Sequence, residues 1–358
     1  VLKFIVKRFL YGVLVMLGVI TVVFILFNVL PGDPARMMLG QRADSLSIAA
    51  INKDLGRDKP LFTQYLMYMN DLSPISWHNT ADENSAVYLD STKYGHPWKV
   101  NLGNHALVFK APYLRRSYQT KRRVTETLKD TMPETFVLAF ASIVLASILG
   151  IGLGIIAAIK KNSWFDRVSF VVAILGMSGP SFFVGLLLML VFGFLLSDYT
   201  GLKVVGSLYM VDEYTGKEVL QLKNLILPAL TLGLRPWAIV LQLTRSSLLE
   251  VLSQDYIRTA KAKGLSYYKV IFKHALKNAL NPVITSISGW FAGLMAGAVL
   301  VESVFDWKGI GSVVVEALGN YDLPVVMGST LVFATIFIVI NVIVDVVYGI
   351  LDPRVRVQ

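Results

Sequence analysis

Six stretches of this chain are each long and apolar enough to cross a lipid bilayer, and that constrains its fold more than any other feature. They are residues 9–30, 135–159, 168–197, 225–244 (extending as far as 249), 283–301 and 325–349. A hydrocarbon core about 30 Å thick takes roughly 20 helical residues, because a helix satisfies its own backbone polar groups where no water can. Four of the six carry no Asp, Glu, Lys or Arg; the exceptions are Arg235 in the fourth and Asp345 in the sixth. With 54% hydrophobic and 16% charged residues, the chain holds more apolar surface than one soluble core could hide. The expectation is an all-α, polytopic membrane protein of six transmembrane helices. Lys3, Lys7 and Arg8 before the first apolar run resemble the start of a secretory signal. That run is longer than a signal core and ends in Pro31-Gly32-Asp33-Pro34 without a small-x-small cleavage site, so it is read as a retained span.

Orientation follows from Lys and Arg in the short loops, which are enriched on the cytoplasmic side. Segments 1–8, 160–167, 245–282 and 350–358 hold fifteen of them, whereas 198–224 and 302–324 hold four. Both termini are therefore cytoplasmic. The net charge of +10 sits mostly beside apolar spans, which points to membrane lipid and topology rather than nucleic acid. The long segment 31–134 falls outside despite 14 basic residues, as long loops cross largely regardless of charge.

In that outer segment, 46–55 reads as an amphipathic helix, and a second helix starts at 59–68 with Pro60 near its first turn. Residues 73–124 are polar, with Trp77, Trp98 and the basic runs Arg115-Arg116 and Lys121-Arg122-Arg123; periodicity does not settle their structure. They read as an inserted outer subdomain. The domain division is thus a first span at 1–30, an extracytoplasmic segment at 31–127, a five-span core at 128–349 and a tail at 350–358. The absence of cysteine excludes disulfides and thiolate chemistry, and His78, His96, His105 and His274 are too scattered for a metal site.

The cytoplasmic loop 250–281 is too polar to span and too patterned to be slack. Asp255, Tyr256, Ile257, Arg258, Thr259, Ala260, Lys261, Ala262 and Lys263 read as a helix stopped by Gly264, a residue suited to the left-handed position past a helix end. Residues 266–280 read as a second helix, with Tyr267, Ile271 and Ala275 on one face and Tyr268 and Phe272 on another. Such a helix–Gly–helix element can take a push from a cytoplasmic partner and pass it to the fourth and fifth spans.

At these residues the chain resembles the binding-protein-dependent ABC permeases, and the run DYIRTAKAKGL (255–265) is similar to the dipeptide and oligopeptide branch. The likeness extends to LPGDP (30–34), LTRSSLLEVL (243–252), NALNPV (278–283), ESVFDWKGIG (302–311) and VDVVYGILDPR (344–354). From the general family pattern, only Ala260, Gly264 and Leu276 match. The resemblance implies a type I permease core in a bacterial inner membrane. It implies a sister permease, an extracytoplasmic solute-binding protein that delivers peptide, and two ATPase subunits that bind ATP and magnesium. It assigns contact with those ATPases to Asp255, Tyr256, Arg258, Thr259, Ala260, Lys261, Lys263, Gly264 and Leu265. Nickel chelates and sugars remain open as cargo, since related permeases handle several. The chain itself carries no GxxxxGK[ST] and no cofactor is expected on it.

Gly176 to Ser181 interrupts the third span, and broken helices are tolerated only beside protein or water, which makes Met177, Ser178, Pro180, Ser181 and Arg235 the pathway or gate candidates. Asp345 is expected to pair with a nearby basic residue, Asn28 and Asn341 to bond across helices, and Gly289, Gly293 and Gly297 to support close helix packing. A secondary transporter or intramembrane enzyme would need a constellation of ionisable groups at the midplane, and two isolated candidates do not supply one.

Overall fold

The structure is a computed structural model that describes residues 2–28, 52, 57–82, 85, 87–212 and 215–351. The helix expected at 46–55 lies almost entirely outside them, as do the Leu30–Pro34 turn and the tail from 352. Among the described residues, four helices are long and apolar enough to cross a membrane: α1 (Leu2–Asn28), α3 (Val124–Ile159), α6 (Ile226–Leu252) and α12 (Leu323–Leu351). Two further crossings are bent pairs. The first joins α4 (Trp164–Ser178) to α5 (Ser181–Leu195) through 110°, and the second joins α8 (Tyr267–Ala279) to α9 (Asn281–Gly297) through 50°. Counting each bent pair once gives the six expected spans. The sharp break falls at Gly179-Pro180, as the interruption predicts: Pro180 has no N–H to donate, and its ring pushes Gly179 to an extended φ −88°, ψ 150°.

The chain forms two compact units. One comprises Val1–Phe9, Thr131–Ser312 and Ile336–Gln358. It contains α4, α5, α6, α8 and α9, together with α7 (Asp255–Ala262), α10 (Val299–Phe305) and the start of α11 (Ile310–Gly319). Its packing turns on small residues where α3 crosses α6. A Cβ on Gly154 would lie 2.7 Å from Thr244 Cβ and 2.8 Å from the Leu241 carbonyl oxygen, and one on Gly150 would lie 2.7 Å from Val240 Cγ1. Lipid supplies no hydrophobic drive between helices, so close backbone approach of this kind supplies the dispersion that holds them. Of the stripe expected to do this work, a Cβ on Gly289 or Gly293 would meet no atom within 4 Å, and the surroundings of Gly297 lie outside what is described. α9 buries a different face, with Val283, Ala292, Leu294 and Met295. Asn341 donates to the Phe337 carbonyl of its own helix at 2.7 Å, so it closes a local bond instead of the expected interhelical one. At the cytoplasmic ends of α1 and α12, Arg8 Nη1 meets Asp345 Oδ2 at 2.9 Å, the partner expected for that carboxylate.

The second unit comprises Leu10–Asp130 and Val313–Thr335. α2 (Leu61–Leu72) starts directly after Pro60 and lies against the outer turns of α1. Phe24 meets the rings of Tyr65 and Tyr68 at 5.2 and 5.8 Å, Thr21 Oγ1 is 2.8 Å from Tyr65 Oη, and Met327 and Leu331 complete the cluster. Beyond it the polar segment forms an antiparallel sheet that periodicity did not reveal, in the order β1 (Ile75–Asn79), β3 (His105–Phe109), β2 (Trp98–Leu102). A second hairpin, β4 (Tyr209–Val211) with β5 (Glu218–Leu220), lies in the first unit. The helical expectation holds for the spans, and among the described residues strands appear only in the loops between them.

One face of the three-stranded sheet buries Ser76, His78, Ala106 and Val108. His78 Nδ1 lies 3.2 Å from the Val87 carbonyl and Nε2 lies 3.0 Å from Ser76 Oγ. Burial, then the nearby Lys110 ammonium, hold its imidazole below the usual value, against the bonds to the backbone at Val87 and Tyr88. Lys110, which donates to the Asp71 and Ser73 carbonyls at 2.5 and 3.3 Å, is itself lowered to about 8 by burial.

Two predictions follow from this packing. Gly154→Leu should destabilise the helix bundle by about 1–3 kcal/mol, the usual cost of overpacking, seen as a lower unfolding midpoint in detergent. Gly152→Leu, at a position that meets nothing within 4 Å, should leave that midpoint in place. For His78 the folded state binds fewer protons than the unfolded one. Its contribution to stability is therefore present above the ordinary histidine value of 6.5 and is lost as pH falls from there towards the lowered folded value. Hydrogen exchange of the sheet amides should accelerate over that window, and His78→Gln should flatten the dependence.

Candidate functional site

The loop beneath the membrane is a bent rod whose corner is fixed by hydrogen bonds. α7 ends with Lys263 as its cap, and Gly264 follows at φ +75°. The Gly264 N–H donates to the Lys261 carbonyl at 3.0 Å and the Leu265 N–H to the Ala260 carbonyl at 3.4 Å. This pair of bonds, with an apolar contact between the residues that flank it, is the Schellman arrangement for ending a helix. Ala260 and Leu265 supply that contact, because both belong to one apolar cluster. The cluster also holds Ile257, Val270, Ala275 and Ala279 of the rod, Leu248 of α6, and Ile155 and Ala158 of α3. The second helix of the rod is not regular: Val270–Ala275 is wound as a π-helix, and the extra residue lets the neighbours Val270 and Ile271 both turn inward.

The opposite face of the rod is open. Asp255, Tyr256, Arg258, Thr259, Lys261, Lys263 and Gly264 are exposed, Leu265 is half-buried, and Ala260 faces the cluster. Asn278 Nδ2 donates to Tyr256 Oη at 2.9 Å and ties the rod's two arms together. Arg258 and Asp255 sit 3.4 Å apart in full solvent, where such a pair contributes little. Beside them Tyr267, Tyr268 and Phe272 point outward, with Tyr268 73% exposed. The sequence placed Tyr268 and Phe272 on a shared face without giving that face a role.

The structure brings the pathway candidates together. Met177, Ser178, Pro180 and Ser181 flank the break between α4 and α5, and Arg235 Nη2 donates to the Gly179 carbonyl at 3.2 Å. An acceptor freed by the break is thereby satisfied, and the arginine gains a fixed partner. Ser178 Oγ turns back to the Ile174 carbonyl at 2.7 Å.

Glu302 emerges from the structure as a residue to which sequence reasoning gave no role. It is fully buried and accepts from Thr135 Oγ1 at 2.8 Å, the Gly311 N–H at 2.7 Å and the Ser312 N–H at 3.3 Å. It therefore closes the N-terminal turn of α11, where a carboxylate is favoured. Gly309 and Gly311 are required beside it, since a Cβ on either would collide with its carboxylate. Trp307, also fully buried, donates from Nε1 to the Glu134 carbonyl at 3.0 Å. The signal was present in ESVFDWKGIG, but a partner 167 positions away in sequence has no local signature.

Comparison with known proteins decides what kind of chain carries this arrangement. Residues 150–357 match the family described as "Binding-protein-dependent transport system inner membrane component", and residues 1–86 match its N-terminal counterpart. The chain belongs to this family. The dipeptide transport system permease protein DppB of Alkalihalophilus pseudofirmus is 35% identical over 370 residues, covering 99% of both chains. The di/tripeptide transport system permease protein DppB of Pseudomonas aeruginosa is 35% identical, covering 100% of this chain and 99% of its own. The glutathione transport system permease protein GsiC of Salmonella choleraesuis is 34% identical, covering 99% of each. This protein is thus an inner-membrane permease subunit of an ABC importer.

Glu302→Ala would strand two N–H donors and a hydroxyl, at about 1–3 kcal/mol for each. The variant should show a sharply lowered yield of folded protein in detergent. Glu302→Gln, which keeps one acceptor oxygen, should lose less.

Proposed function

We propose that this permease moves short peptides across the inner membrane in an ATP-driven importer. A solute-binding protein delivers the peptide from outside, a sister permease shares the pathway, and two cytoplasmic ATPase subunits hold ATP and magnesium. Support for the cargo is the shared chemistry of the relatives, whose names specify dipeptides, di/tripeptides and glutathione. The observation that carries the coupling role is the two-faced rod: one face is continuous with α6 through a dry apolar cluster, and the other presents charges and exposed aromatics. Surfaces with exposed aromatics and a polar rim are suited to protein partners. ATP binding drives the transporter only if each nucleotide state favours one membrane conformation, because a ligand with equal affinity for both shifts nothing. Asp255, Tyr256, Arg258, Thr259, Lys261, Lys263 and Gly264 make the ATPase contact, while Ala260 and Leu265 hold the corner that transmits it. Met177, Ser178, Pro180, Ser181 and Arg235 act at the pathway.

Gly264 tests this reading because its substitution strains the backbone without a steric clash: a Cβ there meets nothing within 4 Å. Gly264→Val should distort the corner at about 1–3 kcal/mol, whereas Gly264→Asn tolerates a left-handed φ. In proteoliposomes holding the full transporter, Gly264→Val should keep ATP hydrolysis and lose most uptake of labelled dipeptide; Gly264→Asn should retain both. Full uptake by Gly264→Val would count against the proposal.

A further inference from the structure

Two arginines of α6 hold α4 at both of its ends. At the cytoplasmic end, Arg245 donates from Nε to Asp166 Oδ1 at 2.5 Å and from Nη2 to Oδ2 at 2.7 Å. Asp166 is 4% exposed and is itself built into the helix start. It accepts from the Asn162 N–H at 2.9 Å, and its own N–H donates to Ser163 Oγ at 3.3 Å. At the far end, Arg235 donates to the Gly179 carbonyl just past the last turn of α4. A carboxylate in the first turn and a cation at the last both agree with the helix dipole. The two arginines stand ten residues apart on α6, about 15 Å along its axis. Between them Gly176 approaches Leu234, where a Cβ would lie 3.4 Å from Cγ.

Helices that pack only through apolar side chains in lipid can slide, because hydrocarbon on one side is equivalent to hydrocarbon on the other. A two-pronged pair between a half-buried guanidinium and a buried carboxylate fixes register and orientation together. α6 also runs into the rod through only Ser253 and Gln254, and Leu248 is part of the rod's own apolar cluster. We propose that Asp166, Arg245 and Arg235 are positioning residues that lock α4 to α6, so that a displacement of the rod arrives undiminished at the Gly179-Pro180 break. The inference rests on the reading of the chain as an ATP-coupled permease. It assigns Asp166 and Arg245 to transmission and places Arg235 in the lock that acts on the pathway.

The chain contains no cysteine, so labels and bridges can be placed singly. The experiment uses the complete transporter in proteoliposomes and reads peptide moved per ATP hydrolysed. It also reads the distance between spin labels on cysteines at the exposed positions Val171 and Ser246, with and without nucleotide. In the otherwise unaltered chain the distance should stay narrow and unchanged while uptake proceeds. Arg245→Ala and Asp166→Ala should lower the coupling ratio by about tenfold, within the range for coupled pairs, and broaden the distance. Arg235→Lys should lower it less. An Asp166→Cys/Arg245→Cys variant should be uncoupled as prepared and recover coupling once a short bifunctional thiol reagent bridges the two sites, an outcome a purely structural role would not produce. Arg245→Lys covers the case in which the alanine variant does not assemble: it keeps the charge, loses the fork and should be partly uncoupled. Full coupling in Arg245→Lys and Asp166→Ala, or a bridge that restores nothing, would overturn the lock. Failure of the unaltered transporter to take up peptide while hydrolysing ATP would instead overturn the transport reading.

Discussion

The dry contact between the underside of α6 and the bent rod is the interaction on which the rest of the structure depends. Leu248 from the span and Ile257, Ala260, Val270 and Ala275 from the rod form one buried cluster, with Ile155 and Ala158 of α3 closing its side. Without it, the polar loop would hang from two spans as a flexible tether, and force applied to it would be lost as chain entropy. With it, loop and span are one body. The Schellman corner at Gly264 then sets the angle between the arms of the rod, and the π-wound stretch in the second arm brings two adjacent apolar side chains into the cluster.

A second constraint comes from the bilayer, where every backbone group needs a partner. The helices are interrupted at Gly179-Pro180, inside the third span, and around 306–311, in the outer loop, and in both places an ionisable side chain makes up the deficit. Arg235 serves the carbonyl at the first break; Glu302 serves the N–H groups at the second. Arg235 is exposed and Glu302 is fully buried, so loss of the side chain is severe at the second site, where two N–H donors would be left unpaired away from water. Both side chains mark where the helices are interrupted for a purpose.

Much of this architecture can be read from residues alone, and the reasons are physical. Span number follows from the length of apolar runs, orientation from loop charge, the third-span break from Gly179-Pro180, and the rod's corner from Gly264. Each is a local property. What could not be read was tertiary. Gly150/Gly154 and Gly289/Gly293 share the same spacing, and only the packing shows that the first pair faces α6 and the second meets nothing. The outer sheet was hidden because its strands are five residues each and mix Trp, His and Lys without clean alternation. Asp345 was expected to find a cation and found Arg8, whereas Asn341 satisfied itself within its own helix.

The central claim is that the open face of the rod lies in the cytoplasm against an ATP-binding partner. The direct measurement is a single cysteine at Lys261, exposed on that face, in a chain that has no other. Carrying a photoactivatable cross-linker, it should join the ATPase subunit in the assembled transporter, and in intact cells it should resist a membrane-impermeant maleimide. Cross-linking to no ATPase in an active complex, or labelling from outside, would contradict the account.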